Sequence, residues 1–528
     1  MTDNHPTPDM LARMLRRGLD RRDLLRSLVA AGFGAAAANG LVWRAGDALA
    51  QTPKVGGQLR VASQSASTAD TLDPSRGSLT TDYARAFMFY NGLTRLDAAL
   101  VPQPELAESF TSDDAITWHV KLRSGIVFAD GSPLTAADVI FTVGRIKDPA
   151  TGSSARALAT QIKEIVADGP SALRITLEGA NADLPIIFGT PHFMIVKDGT
   201  SDFGKGNGTG PYRVKEFTPG VRSIGVRKTD YWKNGKPYVE QLEYFSIQDE
   251  TARINAMLAG NIEVASQIGP RVLKRVKSTP GFAVLETKSG NYNDFILRQD
   301  NETTRNPDLA LAIKYLSDRE QMQTALGGGV IGNDQPIYPS HRYFNTELKQ
   351  RPYDPERAKF HFGKSGLGNT ALPLYVMANN TMTDQALILQ QSALDIGMKI
   401  DVQRMPGDGY WSNVWFKKPF SGGNINPRPS ADSLLTLFFA STAPWNETGW
   451  KSEPFDKLLI EARAATDEAK RKQMYGEMQT LIAEQNSLGI PLFNSFYDGH
   501  TTKLKGLEPI PTGGMMGFGF AENVWLEA

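Results

Sequence analysis

The chain contains no cysteine in 528 residues. That absence excludes disulfides, thiolate nucleophiles, cysteine-ligated zinc and iron–sulfur clusters. Beyond the first fifty residues no apolar run reaches the roughly 20 residues that a membrane-spanning helix needs. An excess of either charge is missing too: 57 Lys+Arg stand against 57 Asp+Glu. Nothing therefore points to nucleic acid or an anionic membrane as a partner. Histidine is scarce, and His119, His192, His341, His361 and His500 are widely scattered. No H-E-x-x-H, G-x-S-x-G or G-x-x-x-x-G-K-[ST] pattern occurs, and "GKGNGTGPY" leads into a strand pattern without dinucleotide-loop spacing. Asp113 and Asp114 are adjacent, so their side chains diverge. A hydrolase is the competing class, and these absences weigh against it. The expectation is no catalytic residue, no metal and no cofactor.

What is present is size and an unusual start. A chain of this length exceeds one ordinary core, which predicts two or three domains. Arg13, Arg16, Arg17, Arg21 and Arg22 precede a weakly apolar Ala/Gly stretch ending in Ala48-Leu49-Ala50, the layout of a cleavable leader over residues 1–50. Arg21-Arg22 with Leu24-Leu25 resembles a twin-arginine signal, departing from it at Asp20 and Leu24. With no lipid-acceptor cysteine after the leader, the expected product is a free periplasmic protein, monomeric and near neutral.

Periodicity indicates a mixed α/β chain. Leu59 and Val61 share one face of an opening strand, Trp118, Val120 and Leu122 alternate, and Leu173, Ile175 and Leu177 offer a partner strand. Asn306-Pro307 reads as a helix start, and Ser317 to Glu320 as a capping box for the next helix. "PLYVMANNTMTDQALILQQSALDIGMKIDVQ" reads strand, helix, strand, a βαβ unit that requires a parallel pair. Asp138 and Asp230 are read as cap and turn residues rather than catalytic acids. Residues 422–432, "GGNINPRPSAD", read as loop, because Pro427 and Pro429 flank Arg428 and two glycines precede it.

The segments "TLDPSRG", "YNGLTRLD", "ITWHVKLRSGIVFADGSPLTAADVIFTVGRIKDP", "GTGPYRVKEFTPG" and "DYWKNGKPYVEQLEYFSIQDETARINAMLAGNIEVA" occur in this order. Together they resemble bacterial extracellular solute-binding proteins of family 5, the peptide/nickel-type cluster that feeds ABC importers. The resemblance implies an α/β, two-lobed periplasmic binding protein (type II, Venus-flytrap) with an extra inserted domain. It implies a first lobe from residues 51–95 and 190–288, an insertion at 96–189, a second lobe at 289–500, and a return at 501–528. It further implies a small solute or peptide held between the lobes and an ABC permease complex in the inner membrane as partner. A ligand sensor coupled to a chemoreceptor would use the same binding.

In peptide-binding relatives a Gly-Trp-x-x-Asp segment meets the ligand amine. Here the equivalent stretch is Gly423-Asn424-Ile425-Asn426-Pro427-Arg428, with Ile425 at the tryptophan position, so the resemblance puts Arg428, three residues on, where relatives place an aspartate. A guanidinium fork suits a carboxylate or phosphate and repels an amine. The alternative is that Arg428 pairs with Asp432 and braces its loop. Trp411, Trp445 and Asn446 are further cleft candidates, as aromatic walls with a few polar groups suit a solute site. Ser63 and Ser65, after the first strand, stand where the family offers backbone to a peptide, and Tyr497 lies near the second crossing between lobes.

Overall fold

The computed structural model describes residues 53–378 and 381–527. The expected leader and its cleavage site lie outside the described residues. The described chain opens with β1 (Gln58–Ser63) and α1 (Thr80–Phe89). A hairpin of β2 (Thr94–Leu96) and β3 (Pro102–Pro104) follows. Next come β4 (Ala107–Thr111), β5 (Thr117–Leu122), α2 (Ala136–Lys147), β6 (Ile162–Ala167) and β7 (Ala172–Leu177). These four strands form an antiparallel sheet ordered β4-β5-β7-β6, with Trp118 opposite Ile175 as the alternation predicts. Val139, Val143 and Ile146 of α2 close one core with Trp118, Val120, Leu173 and Ile175. Asp138 accepts from the Thr135 N–H at 2.7 Å and so caps α2, while Asp230 pairs with Arg213 at 3.0 Å. Neither acid is poised for chemistry.

The chain then adds β8 (Tyr212–Thr218), β9 (Arg222–Arg227), β10 (Gln241–Ser246), α3 (Glu250–Leu258), β11 (Val264–Ala265) and β12 (Phe282–Leu297). After α4 (Pro307–Leu316), α5 (Arg319–Ala325) and β13 (Val330–Ile331) comes the predicted βαβ unit of β14 (Leu372–Met377), α6 (Thr381–Asp395) and β15 (Ile400–Met405). Its strands run parallel, Leu372 opposite Ile400. The rest is β16 (Phe420–Ile425), α7 (Ala431–Phe438), α8 (Glu453–Ala464), α9 (Glu468–Gln485) and β17 (Leu488–Thr501). One mixed sheet runs β15-β14-β16-β12-β17-β11-β1-β10-β9-β8, with β13 added to β17.

Two of these strands are unusually long. At about 3.3 Å per residue, the 16 residues of β12 reach about 50 Å. Their register breaks between Lys288 and Asn291, opposite Ser495 and Asn494. The break is held locally: Ser289 Oγ donates to Asn494 O at 2.8 Å and Asn494 Nδ2 to Asn291 Oδ1 at 2.7 Å. On one side of it β17 pairs with β11, and on the other β12 pairs with β16. Separate apolar cores flank it, one around Leu59, Tyr90 and Leu242, others around Tyr292, Leu435 and Tyr475 and around Leu374, Ala386 and Leu389.

Two local expectations need correction. The cap of α5 is Asp318, which accepts from Gln321 N at 2.9 Å, and Ser317 Oγ instead donates to Ile313 O. Gly422 and Gly423 lie in β16, not in a loop. They are glycines for lack of room: a Cβ on Gly422 would stand 2.2 Å from the Met382 sulfur, and one on Gly423 2.2 Å from Asp294 Oδ1. The loop proper is only residues 426–429.

Candidate functional site

A cavity of about 1760 Å³ lies between the cores on either side of the strand break. Gln64, Tyr83 and Phe87 line it from the N-terminal part, and Asn424, Arg428 and Trp445 from the part that holds β16 and α7. Most of its charge is neutralised internally. Lys233 pairs with Glu522 at 2.7 Å and also meets Glu105, Lys236 pairs with Glu522 at 3.1 Å, and Arg463 with Asp432 at 2.9 Å. Two lining cations differ. Among the described residues neither Arg428 nor Arg123 forms an ion pair with a carboxylate; Arg123 donates to the backbone oxygen of Glu105 and lies over Trp232.

Arg428 is placed by sequence logic that can be followed residue by residue. β16 ends at Ile425, and Pro427 and Pro429 cannot continue a hydrogen-bonded ladder. Ser430 then caps α7 by accepting from Ser433 N at 3.1 Å. The guanidinium lies 5.6 Å from the Phe438 ring centre and 5.9 Å from that of Trp445. Its Nη1 donates to Asn426 O at 3.1 Å and Pro427 O at 3.3 Å. Burial pushes its pKa below the ordinary arginine value, a sign that the charge is poorly hydrated. A desolvated cation with donors left over is suited to receive an anion.

Arg428 does not pair with Asp432. Asp432 is occupied by Arg463, whose Nε reaches both carboxylate oxygens, so it does not neutralise Arg428. Burial raises the Asp432 carboxyl to about 6 despite that partner. Asp432 and Trp445 do line the cavity beside Arg428. The other candidates are not brought there. Trp411 sits in a helical turn, 43 % exposed, edge-on to Tyr410 and Trp415. Asn446 uses its Nδ2 on Ala440 O and Trp450 O, shaping the Trp445 loop.

Ser63 O already accepts from Ile247 N, and Ser63 Oγ donates to Ser65 O, so the lining residue of that segment is Gln64 between them. Ser65 Oγ bonds Thr80 Oγ1. Tyr497 packs with Ile254 and Ile268 in a small core, while its neighbour Phe496 lines the cavity, as strand alternation requires. Sequence reasoning missed Tyr83, Arg123 and Asp183; no local pattern marks them, since each reaches the cavity through distant pairing.

The family model "Bacterial extracellular solute-binding proteins, family 5 Middle" matches residues 101–447. The glutathione-binding protein GsiB of Escherichia coli (strain K12) is 26% identical over 466 residues, covering 84% of this chain and 91% of that one. Among solved structures, the ABC transporter substrate-binding protein CtaP from Listeria monocytogenes superposes with TM-score 0.79 at 21% identity, covering 90% of this chain and 100% of CtaP. The periplasmic binding protein DppA from Helicobacter pylori, solved with the peptide STSA, gives TM-score 0.74 at 21% identity, with coverage of 90% and 99%.

Proposed function

The chain belongs to the bacterial extracellular solute-binding proteins, family 5, the substrate-capturing components of ABC importers, and we propose that its solute carries an anionic group received by Arg428. The observation that carries this reading is a cavity-lining guanidinium without a carboxylate partner among the described residues, cushioned on Phe438 and Trp445. A carboxylate placed there gains a charge-assisted, bidentate contact. An α-amine would be repelled. Short peptides bearing a free carboxylate fit this chemistry, and so does glutathione, which the E. coli relative is named for binding.

In this reading the lobes part where β12 and β17 break register, near Ser289 on the way out and Asn494 on the way back. Residues 96–189 form the insertion in the first lobe, 289–500 the second lobe, and 501–528 return. Closure about the two strands wraps the solute and presents it to the permease. The leader over residues 1–50 carries the chain to the periplasm, where it works as a monomer. Titration calorimetry with glutathione, and with short peptides carrying free or amidated carboxyl termini, tests the assignment. Preference for the carboxylate forms that disappears in Arg428→Ala supports it; equal binding of both forms overturns it. Native mass spectrometry of periplasmic protein identifies any retained solute.

A further inference from the structure

The strand crossings are not the only tie across the cavity. Ala182 and Asp183 follow β7, and the next residues, Leu184 and Ile187, belong to the core of the four-stranded sheet. Asp183 is 2 % exposed. Its Oδ1 accepts from Arg471 Nη2 at 2.6 Å and its Oδ2 from Ser430 Oγ at 2.6 Å. Ala182 N donates to Arg463 O at 3.0 Å. All three partners belong to the other side: Arg471 and Arg463 to α9 and α8, and Ser430 to the cap of α7.

We propose that Asp183 is a cross-cavity clasp that holds the cleft closed and positions the Arg428 loop. The lever is short, because Ser430 stands two residues from Arg428 and begins the same helix. Arg471 is anchored within its own side, with Nε on Ala462 O at 3.1 Å and the guanidinium against Tyr343 and Tyr475. When the sides separate, Arg471 keeps these contacts and Asp183 regains water. A buried ion pair gains little net free energy, because desolvation offsets most of the attraction, whereas a lone buried charge is strongly disfavoured. A pair of this kind suits a reversible contact: weak enough to release, selective for one closed geometry. The clasp does not depend on which solute the cavity takes.

The chain has no cysteine, so Lys163→Cys and Lys472→Cys, both at exposed positions, introduce the only two labelling sites, one on each side. Single-molecule energy transfer between them, in ligand-free buffer, reads the closed and open populations. We expect Asp183→Asn to lower the closed-to-open ratio at least tenfold, since the ion pair it removes exists only in the closed form. Arg471→Lys, which keeps the charge but loses the fork, should move the ratio in the same direction. Circular dichroism verifies that each variant is folded. If the label distance is single-valued in the parent, or unchanged in both variants, the two sides form one rigid body and the clasp is refuted. A melting temperature that falls without a change in the populations refutes it equally, since that is the signature of ordinary packing.

Discussion

Arg463 Nε lies 2.9 and 3.1 Å from the two carboxylate oxygens of Asp432, and this pairing leaves Arg428 without its nearest acid in sequence. Asp432 faces the last turn of α8, while Arg428 turns to the Phe438 and Trp445 rings. One pair braces the wall, and Arg428, like Arg123, lines the cavity without an ion pair among the described residues.

Arg428→Ala is therefore expected to weaken binding of a carboxylate solute by about 2–5 kcal/mol, roughly 30- to several-thousand-fold. The unliganded protein should melt within about 1 °C of the parent, because no ion pair is lost. Arg428→Lys should restore part of the affinity, as an ammonium cannot reproduce the bidentate contact. Calorimetry and thermal melts on the three proteins decide the matter. A large drop in unliganded stability with unchanged affinity would sink the assignment.

Gly423→Ala should destabilise markedly. The added carbon would meet Asp294 Oδ1 at 2.2 Å and Ile296 Cδ1 at 2.9 Å in a buried strand pair, and overpacking of this kind costs about 1–3 kcal/mol. Gly144→Ala is the control: nothing lies within 4 Å of its new carbon in α2, and relief of glycine's backbone entropy should stabilise by about 0.5–1 kcal/mol. Denaturant midpoints moving in the same direction for both would contradict the steric account.

The strands were legible because their signals are local. Trp118, Val120 and Leu122 alternate over one buried face, and Ala386, Leu389 and Ala393 mark one helix face, whatever the rest of the chain does. Gly422 and Gly423 misled for the opposite reason. Glycine signals a turn when φ must be positive, but here it signals a sulfur and a carboxylate from distant segments, and no short window contains Met382 or Asp294. The cavity shows the same division. Arg428 could be found from its prolines and from a family frame, whereas Asp183 gains meaning only when Arg471, 288 residues later, folds onto it. Trp411 and Trp445 have similar surroundings in sequence, and only tertiary packing sends one to the cavity wall and the other to an exposed turn.

The proposed leader makes a separate prediction. Arg21→Lys with Arg22→Lys should leave precursor in the cytoplasm if export follows the twin-arginine route. N-terminal sequencing of periplasmic protein from the parent should begin at Gln51. Normal export of the double variant would assign the chain to the general secretion route instead.

The last prediction concerns a buried pair of acids. Asp294 on β12 and Glu447, which follows the Trp445 loop, are both almost fully buried. Trp415 Nε1 donates to Glu447 Oε1 at 2.7 Å, and with both acids ionised Asp294 would have backbone N–H groups, that of Gly423 among them, but no side-chain donor. A proton held on Glu447 supplies one. Burial, then the neighbouring Asp294 charge, pushes Glu447 well above the ordinary range, and burial raises Asp294 to about 7. The buried Tyr292 and Tyr410 hydroxyls face the same pair and add no positive charge. For an acid whose folded pKa is raised, the stabilising contribution is fully present below the unfolded value near 4 and is lost as pH rises through the folded value. The loss should therefore accumulate between about pH 4 and pH 7 and amount to a few kcal/mol, on the order of 1.4 kcal/mol per pH unit. Asp294→Asn removes this titration while keeping the shape and offering Glu447 an amide donor. Its stability relative to the parent should rise from pH 5 to about pH 7 in denaturant titrations. A difference between the two proteins that is flat across that range would mean that the pair does not share a proton, and that the Asp294 charge is met by a partner other than Glu447.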